Sequence, residues 1–263
     1  MAEPVLTLTD IRVQFDTMDG VVDAVRGVSV HVNAGETLAI VGESGSGKSQ
    51  MLMAAMGLLA GNGRTTGVAD YRGTNLIGLP KAQLNQIRGR KITMIFQEPM
   101  TSLDPLYTIG SQLIEPIRRH QGLSHRAAKA RALEMLALVK IPQPEDRMGS
   151  YPHELSGGQR QRQRIAIARA IILKPRLVVL DEPTSALDRQ VQKQIVDLLR
   201  DLQRLNGLSY LFISHDLAVV RAMADHIIVM KDGRMVEEGT PDQVLDNPQQ
   251  AYTQRLMAAA FAT

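Results

Sequence analysis

Three closely spaced glycines, Gly42, Gly45 and Gly47, run directly into Lys48-Ser49 within the segment Gly42-Glu43-Ser44-Gly45-Ser46-Gly47-Lys48-Ser49. An apolar run at 37–41 precedes the segment, and residues 51–59, which can form a helix, follow it. Strand, glycine loop and helix in that order is the context in which this spacing cradles a phosphate chain. The glycines let the backbone turn tightly enough to aim several N–H groups at one anion, and the helix adds its positive end. Lys48 then reaches the outer phosphates and Ser49 a magnesium ion. A plain glycine-rich turn is the bland alternative, and the rest of the chain weighs against it.

With 263 residues and 44% hydrophobic content, the chain can bury a sizeable core as one large domain or as a core with an attached lobe. No apolar run approaches the roughly 20 residues that span a bilayer. The N-terminus, with Glu3 and Asp10 and no hydrophobic segment, does not read as a secretion signal. The absence of cysteine excludes disulfides, thiol catalysis and thiolate metal sites, and fits a reducing compartment. Thirty basic against 27 acidic residues leave a net charge of +3, too small an excess to argue for nucleic acid. Aromatic residues at 3% offer few platforms for stacking bases.

Residues 5–15 and 21–32 alternate apolar and polar side chains around the turn Thr17-Met18-Asp19-Gly20, which predicts a hairpin on a half-buried face. A glycine-punctuated stretch at 61–78 and a β-rich run at 92–96 complete a first section with one major helix. Between about 99 and 173 the character is helical, with helices expected over 108–120 and 124–139 and Ser124 as an N-cap. Short apolar runs at 177–180, 210–213 and 227–230 then alternate with helical stretches such as 188–205, which implies a parallel sheet with crossover helices. The tail, 240–262, reads as helical with a break at Asn247-Pro248.

Val178-Val179-Leu180-Asp181-Glu182 is a strand of the buried type that ends in two carboxylates, the place where an α/β sheet presents ligand groups. Asp181 can hold magnesium while Glu182 polarises an attacking water; two solvated charges at a strand end are the alternative. The strand at 210–213 ends in Ser214-His215-Asp216, where His215 either bonds a terminal phosphate and holds the water in line or merely neighbours a helix cap. Leu155-Ser156-Gly157-Gly158-Gln159 opens the long segment 157–172 and forms a second anion-binding helix start. Two such devices serve one nucleotide if two chains sandwich it.

Gly42 to Ser49, Gln97 after the strand at 92–96, Leu155 to Gln159, Val178 to Glu182, Ser185-Ala186-Leu187-Asp188 and Ser214-His215-Asp216 resemble, in this order, the motif set of ABC transporter ATPases. The resemblance covers about 6–239. It implies an α/β P-loop NTPase core with a mainly parallel sheet, an N-terminal antiparallel β subdomain and an inserted helical subdomain. The core would take 1–98 and 174–240, the helical part 99–173 and a helical tail 241–263, all within one ATPase domain. The resemblance also implies a head-to-tail dimer binding two ATP molecules with Mg2+, each touching Lys48 of one subunit and Ser156, Gly157, Gly158 and Gln159 of the other. Glu43, Ser44 and Ser46 would join the glycines on the phosphates. Gln97 would ligate magnesium and water and join the core to the helical lobe, and Asp188 would meet the opposite subunit. Phe15 is the candidate for stacking on adenine, with an ordinary core phenylalanine as the alternative.

Gln97-Glu98-Pro99-Met100-Thr101-Ser102-Leu103-Asp104-Pro105-Leu106 and Tyr151-Pro152-His153-Glu154 resemble the peptide and nickel importer branch. That branch implies membrane permease subunits, an external substrate-binding protein, a second ATPase chain that is the same or different, and a position on the cytoplasmic face of the membrane. Its C-terminal His-Pro-Tyr-Thr element reads Gln250-Ala251-Tyr252-Thr253 here, followed by no cysteine, so no iron–sulfur extension is expected. A further departure is Gln159-Arg160-Gln161-Arg162-Gln163-Arg164, three Gln-Arg pairs where the family usually has two. Two inserted residues turn a helix by roughly 200° and lengthen it by about 3 Å. For folding, the extra pair is expected to be absorbed in the loop or at the helix start as a solvated polar run, an expectation that does not extend to catalysis, where Ser156 must reach a phosphate across an interface. The segments on either side of the repeat resemble the first and second cassettes of paired importer ATPases, which raises a recombinant joining of the two. A soluble ABC ATPase acting on ribosomes or DNA, and a catalytically weak regulatory cassette, are the rival readings.

Overall fold

The structure is a computed structural model and describes residues 3–96, 102–155, 158–185 and 187–261. The opening alternation folds as read: β1 (Pro4–Thr17) and β2 (Gly20–Asn33) pair antiparallel from Pro4 opposite Asn33 to Thr17 opposite Gly20. β4 (Gly63–Tyr71) pairs with the other edge of β1, and the short β5 (Thr74–Asn75) completes a four-stranded antiparallel sheet in the order β2-β1-β4-β5.

The second sheet has six strands in the order β10-β9-β3-β8-β7-β6. β3 (Thr37–Val41), β6 (Ile92–Ile95), β7 (Leu177–Asp181), β8 (Ser209–Ile213) and β9 (His226–Lys231) run parallel, and β10 (Arg234–Gly239) closes one edge antiparallel. Every residue of β3, β7 and β8 is buried, as strands covered on both faces require. Their alternation feeds two cores. Leu38, Ile40, Val179 and Leu211 face the antiparallel sheet, with Leu8, Ile11 and Val13. Ala39, Val41, Val178, Leu180 and Phe212 face the helices on the other side.

The first helix departs from expectation. α1 spans Lys48–Ala55 rather than 51–59, because Gly47, at φ 95°, lets the helix begin at the last residues of the loop. Arg88 receives its C-terminal end by donating to Met56 O and Gly57 O, the latter at 2.7 Å. A second helix in this section, α2 (Lys81–Ile87), goes beyond the single helix expected there. α3 (Ile109–Gln121) and α4 (His125–Leu138) match the predicted pair. Thr108 and Ser124 cap them by accepting from Ser111 N at 3.2 Å and Ala127 N at 3.3 Å. After α5 (Pro144–Arg147) and one 3-10 turn at Pro152–Glu154 comes α6 (Gly158–Ile171), the helix of the Gln-Arg repeat. α7 (Arg189–Asn206) and α8 (Leu217–Met223) cross between the last parallel strands. The tail is a π turn at Asp242–Asp246 followed by α9 (Ala251–Phe261), with the break where Asn247-Pro248 predicts it.

The expectation of a solvated polar run fails for the third Gln-Arg pair. Gln163 has no exposed surface, and Arg164 is buried as well. Arg164 threads its guanidinium to Lys140 O at 2.8 Å, just past the end of α4, and within 3.4 Å of Gln194 Oε1 on α7. Burial, with Arg160 nearby, lowers its pKa. The Gln163 amide finds no hydrogen-bond partner for either Oε1 or Nε2 among the described residues. The register of α6 is set by the core it enters, so the extra polar residues are carried inward and not shed to solvent.

Candidate active site

The C-terminal ends of β3, β7 and β8 lie side by side, and each delivers part of the predicted site. Beyond β3 the loop glycines hold φ values of 150° at Gly42, 81° at Gly45 and 95° at Gly47, conformations costly for any other residue. Two of them also press on backbone. A Cβ on Gly42 would stand 2.3 Å from Met230 O, and one on Gly47 would stand 2.3 Å from Ala24 O. Around Gly45 nothing lies within 4 Å of such a Cβ, so this part of the loop faces open space. The result is a cradle held from behind by β2 and β9 and open in front.

Lys48 projects back across its own loop, with Nζ donating to Gly42 O and Glu43 O at 2.8 Å and lying 3.4 Å from Ser46 Oγ. Burial lowers its pKa, and the carboxylates of Glu182, Asp181 and Glu43 work against that shift. Ser49 Oγ donates to Asp181 Oδ1 at 3.0 Å, joining the loop to the end of β7. The Asp181 carboxyl is raised by burial; the Ser49 bond opposes this, Glu182 adds to it and Lys48 opposes it. A serine hydroxyl beside one carboxylate is a hard-oxygen donor pair of the kind magnesium takes together with phosphate oxygens. No cluster of three His, Asp or Glu side chains that could hold a metal alone exists among the described residues.

Glu182 takes a left-handed backbone, φ 48°, where β7 turns away from the sheet, and its N–H donates to Ile213 O of β8 at 2.9 Å. This turn brings Glu182 Oε2 to 3.2 Å from His215 Nδ1. The two side chains, read separately from sequence, thus form a pair. Asp216, next to His215, caps α8 by accepting from Ala218 N and Val219 N, so His215 both neighbours a helix cap and faces Glu182. Asp188 caps α7 by accepting from Val191 N at 2.9 Å and remains exposed. Phe15, half-buried on β1, lies over Gly63 of β4, whose Cβ would meet the ring at 2.8 Å. Gly158 begins α6 at φ 49°, with Gln159 exposed in the first turn. Gln97, Ser156 and Gly157 lie outside the described residues.

One contact was not anticipated. The backbone N–H of Glu43 donates to the hydroxyl of Tyr252 on α9 at 3.3 Å, and Lys231 Nζ stands 5.1 Å from the centre of the Tyr252 ring. The Glu237 carboxylate fixes the start of this tail by accepting from Gln249 N at 2.7 Å and Gln250 N at 3.1 Å. Tyr252 falls in the element that departs from the importer pattern, but no local spacing relates it to a loop 209 positions earlier.

Fold and site together define a P-loop ATPase cassette: a mainly parallel sheet, an antiparallel flank, a helical insertion, and a phosphate loop facing two carboxylates. The ABC transporter family pattern matches residues 25–185. The chain is similar to the oligopeptide transport ATP-binding protein OppD of Haemophilus influenzae, with 48% identity over 97% of this chain and 79% of that one. The OppD of Escherichia coli is 46% identical over 98% of this chain and 76% of that one. Among solved structures, a dimeric post-hydrolysis state of an ATP-binding cassette bound to ADP and Pi superposes with a TM-score of 0.78 at 29% identity, covering 90% of this chain and 98% of that one. The chain belongs to the ABC transporter family and is an ABC-type ATPase. Among the described residues no helix is long and apolar enough to cross a membrane.

Proposed function

We propose that this chain binds ATP with Mg2+ at the Gly42–Ser49 loop and uses its hydrolysis to drive import of peptides through separate membrane permease subunits. The observation that carries the reading is the convergence at the C-terminal end of the parallel strands of Lys48, the Ser49–Asp181 bond at 3.0 Å and the Glu182–His215 pair at 3.2 Å. Lys48 and the loop amides neutralise the phosphate oxygens. Ser49 and Asp181, with Gln97, would hold the magnesium, which supplies charge stabilisation to the phosphates. Glu182 accepts the proton of the attacking water, and His215 orients its carboxylate from Nδ1.

Ser156, Gly157, Gly158 and Gln159 would reach the ATP of a second chain, same or different, in a head-to-tail dimer, with Asp188 at the shared surface and Phe15 stacking on adenine through its exposed face. The likeness to peptide-transport ATPases at 46–48% identity supports peptide as the cargo, the permease and an external binding protein as partners, and a peripheral place on the cytoplasmic face of the membrane. The proposed division is a core of 1–98 and 174–240, a helical part of 99–173 and a tail of 241–263. An apolar groove between α3, α6 and β6, lined by Leu58, Met94, Phe96, Pro116 and Ala170, supports docking of a permease segment there. No observation favours action on ribosomes or DNA.

Light scattering of Glu182→Gln, with and without magnesium ATP, tests the reading. Loss of the proton acceptor should lower hydrolysis by about 10²–10⁴-fold while ATP still binds, and the trapped nucleotide should double the solution mass. Near-parental turnover in this variant would refute the role of Glu182. A nucleotide-bound monomer would refute the self-paired composite site and direct the search to a different partner cassette.

A further inference from the structure

The opposite, N-terminal end of the parallel strands carries a second convergence of charge. The turns β4–β5, α2–β6 and α6–β7 meet around a cavity of about 480 Å³ lined by Arg72, Arg90, Lys91, Lys174 and Arg176. Lys91 and Arg176 immediately precede β6 and β7, whereas Asp181 ends β7 and Glu182 follows it. The rise of an extended strand, about 3.3 Å per residue, puts Arg176 roughly 17 Å from Asp181. This cavity is therefore separate from the phosphate loop.

Five cations meet there in a chain whose whole formal charge is only +3. Arg72 has a partner in Glu3 at 3.6 Å, but among the described residues Arg90, Lys91, Lys174 and Arg176 have no carboxylate within the 4.0 Å of an ion pair. Backbone bonds fix two of the turns to each other, since both Arg176 N and Leu177 N donate to Lys91 O, so the cations are presented by a rigid frame. Tyr71 forms part of the wall. Its ring is buried, and its hydroxyl makes no hydrogen bond to a described residue. Burial raises the phenol's pKa while Arg72 and Arg176 pull it back. All five cations are exposed, so water and salt screen part of their mutual repulsion, and a bound anion would relieve the remainder. Arginine forks with lysine point charges are the donor set that suits phosphate oxygens.

We propose that this cavity is a second anion site, which binds a small, multiply phosphorylated anion independently of the catalytic loop. The cavity volume admits a ligand up to the size of a nucleotide. Three guanidiniums and two ammonium groups call for at least two phosphoryl groups, more than one inorganic phosphate carries.

Calorimetric titration of inorganic tripolyphosphate, without magnesium, into the full chain carrying Lys48→Ala isolates this site by removing the phosphate loop's own cation. One binding event per chain, weakening as salt rises, is expected. Adding Arg90→Ser and Arg176→Ser should weaken it by about tenfold or more. Arg126→Ser, at an exposed position on α4, should not. With Lys48 intact, the Arg90→Ser/Arg176→Ser chain should hydrolyse ATP at the parental rate, which shows that it folds and separates this site from the catalytic one. Adenosine tetraphosphate binding more tightly than tripolyphosphate, with the same arginine dependence, would identify a nucleotide as the ligand source. Equal affinities would identify the phosphate chain alone. No binding, several weak equivalent sites, or binding indifferent to Arg90 and Arg176 would overturn the proposal.

Discussion

Gln163→Met should stabilise this protein. Gln163 has no exposed surface, and neither polar atom of its amide has a hydrogen-bond partner among the described residues. Burying an unpaired amide costs about 1–3 kcal/mol. Methionine has nearly the same length and volume and fills the same space, so the repacking cost stays small. The expected gain is therefore about 1–3 kcal/mol, which for a chain of this size raises the melting temperature by about 2–4 °C per kcal/mol. Thermal denaturation followed by circular dichroism, scanned without nucleotide, reads this directly. The Arg164 contact to Lys140 O is untouched by the change, so the anchoring of α6 to the end of α4 is preserved. An unchanged or lowered melting temperature would refute the reasoning. It would mean that the Gln163 amide is satisfied in solution, and that the helix carrying the repeat sits in a different rotational register from the one described.

Other consequences can be checked on single variants. Gly45→Ala adds a methyl group into open space at a left-handed position, so it should cost only about 1–2 kcal/mol in a urea melt yet lower ATP affinity at least about tenfold, as read by nucleotide fluorescence. Gly47→Ala drives a methyl into Ala24 O and should lower stability by more than Gly45→Ala in the same melt. Tyr252→Phe removes the acceptor for Glu43 N and should weaken ATP binding by about 2–10-fold, the worth of one ordinary hydrogen bond, with circular dichroism unchanged. Because burial raises the Asp181 carboxyl, the folded chain keeps this proton at a pH where the unfolded chain has lost it. Stability associated with the protonated form is thus present at low pH and is lost as pH rises through the raised value. Asp181→Asn, neutral throughout, should melt above the parent by a margin that grows with pH, while losing magnesium-dependent hydrolysis; a margin that shrinks with pH would contradict the burial argument.

Legibility in sequence followed the reach of each signal. The central strands were readable because burial on both faces demands unbroken apolar runs, and 177–180, 210–213 and 227–230 are such runs. Ser124 was readable as a cap because its partner, Ala127 N, lies in the next turn. α2 was missed because only Leu84 and Ile87 of its seven residues are buried, too few to impose a period. The start of α1 was misplaced because a left-handed Gly47 is a three-dimensional fact that its spacing does not reveal. The pairing of Glu182 with His215 depends on β7 and β8 lying side by side with Asp181 opposite Ile213, which neither motif encodes alone. Burial of the third Gln-Arg pair likewise depends on which part of α6 the core fixes, and the polar composition of the repeat argued the other way.

The position of β3 has a consequence for how the chain is made. The strand that presents the phosphate loop is flanked on both sides by β8 and β9, and Thr37 N donates to an Asp225 carboxylate oxygen 188 positions away. A ribosome extruding this protein therefore releases β3 long before either neighbour exists. Both of its edges stay unpaired through synthesis of all the intervening helices, and contacts of this range close slowly. Throughout that interval the half-made chain displays an apolar strand to chaperones and to other nascent chains. ATP cannot act as an early template for folding, because the cradle that would grip it is backed by Met230 and so is completed only after β9 has been added.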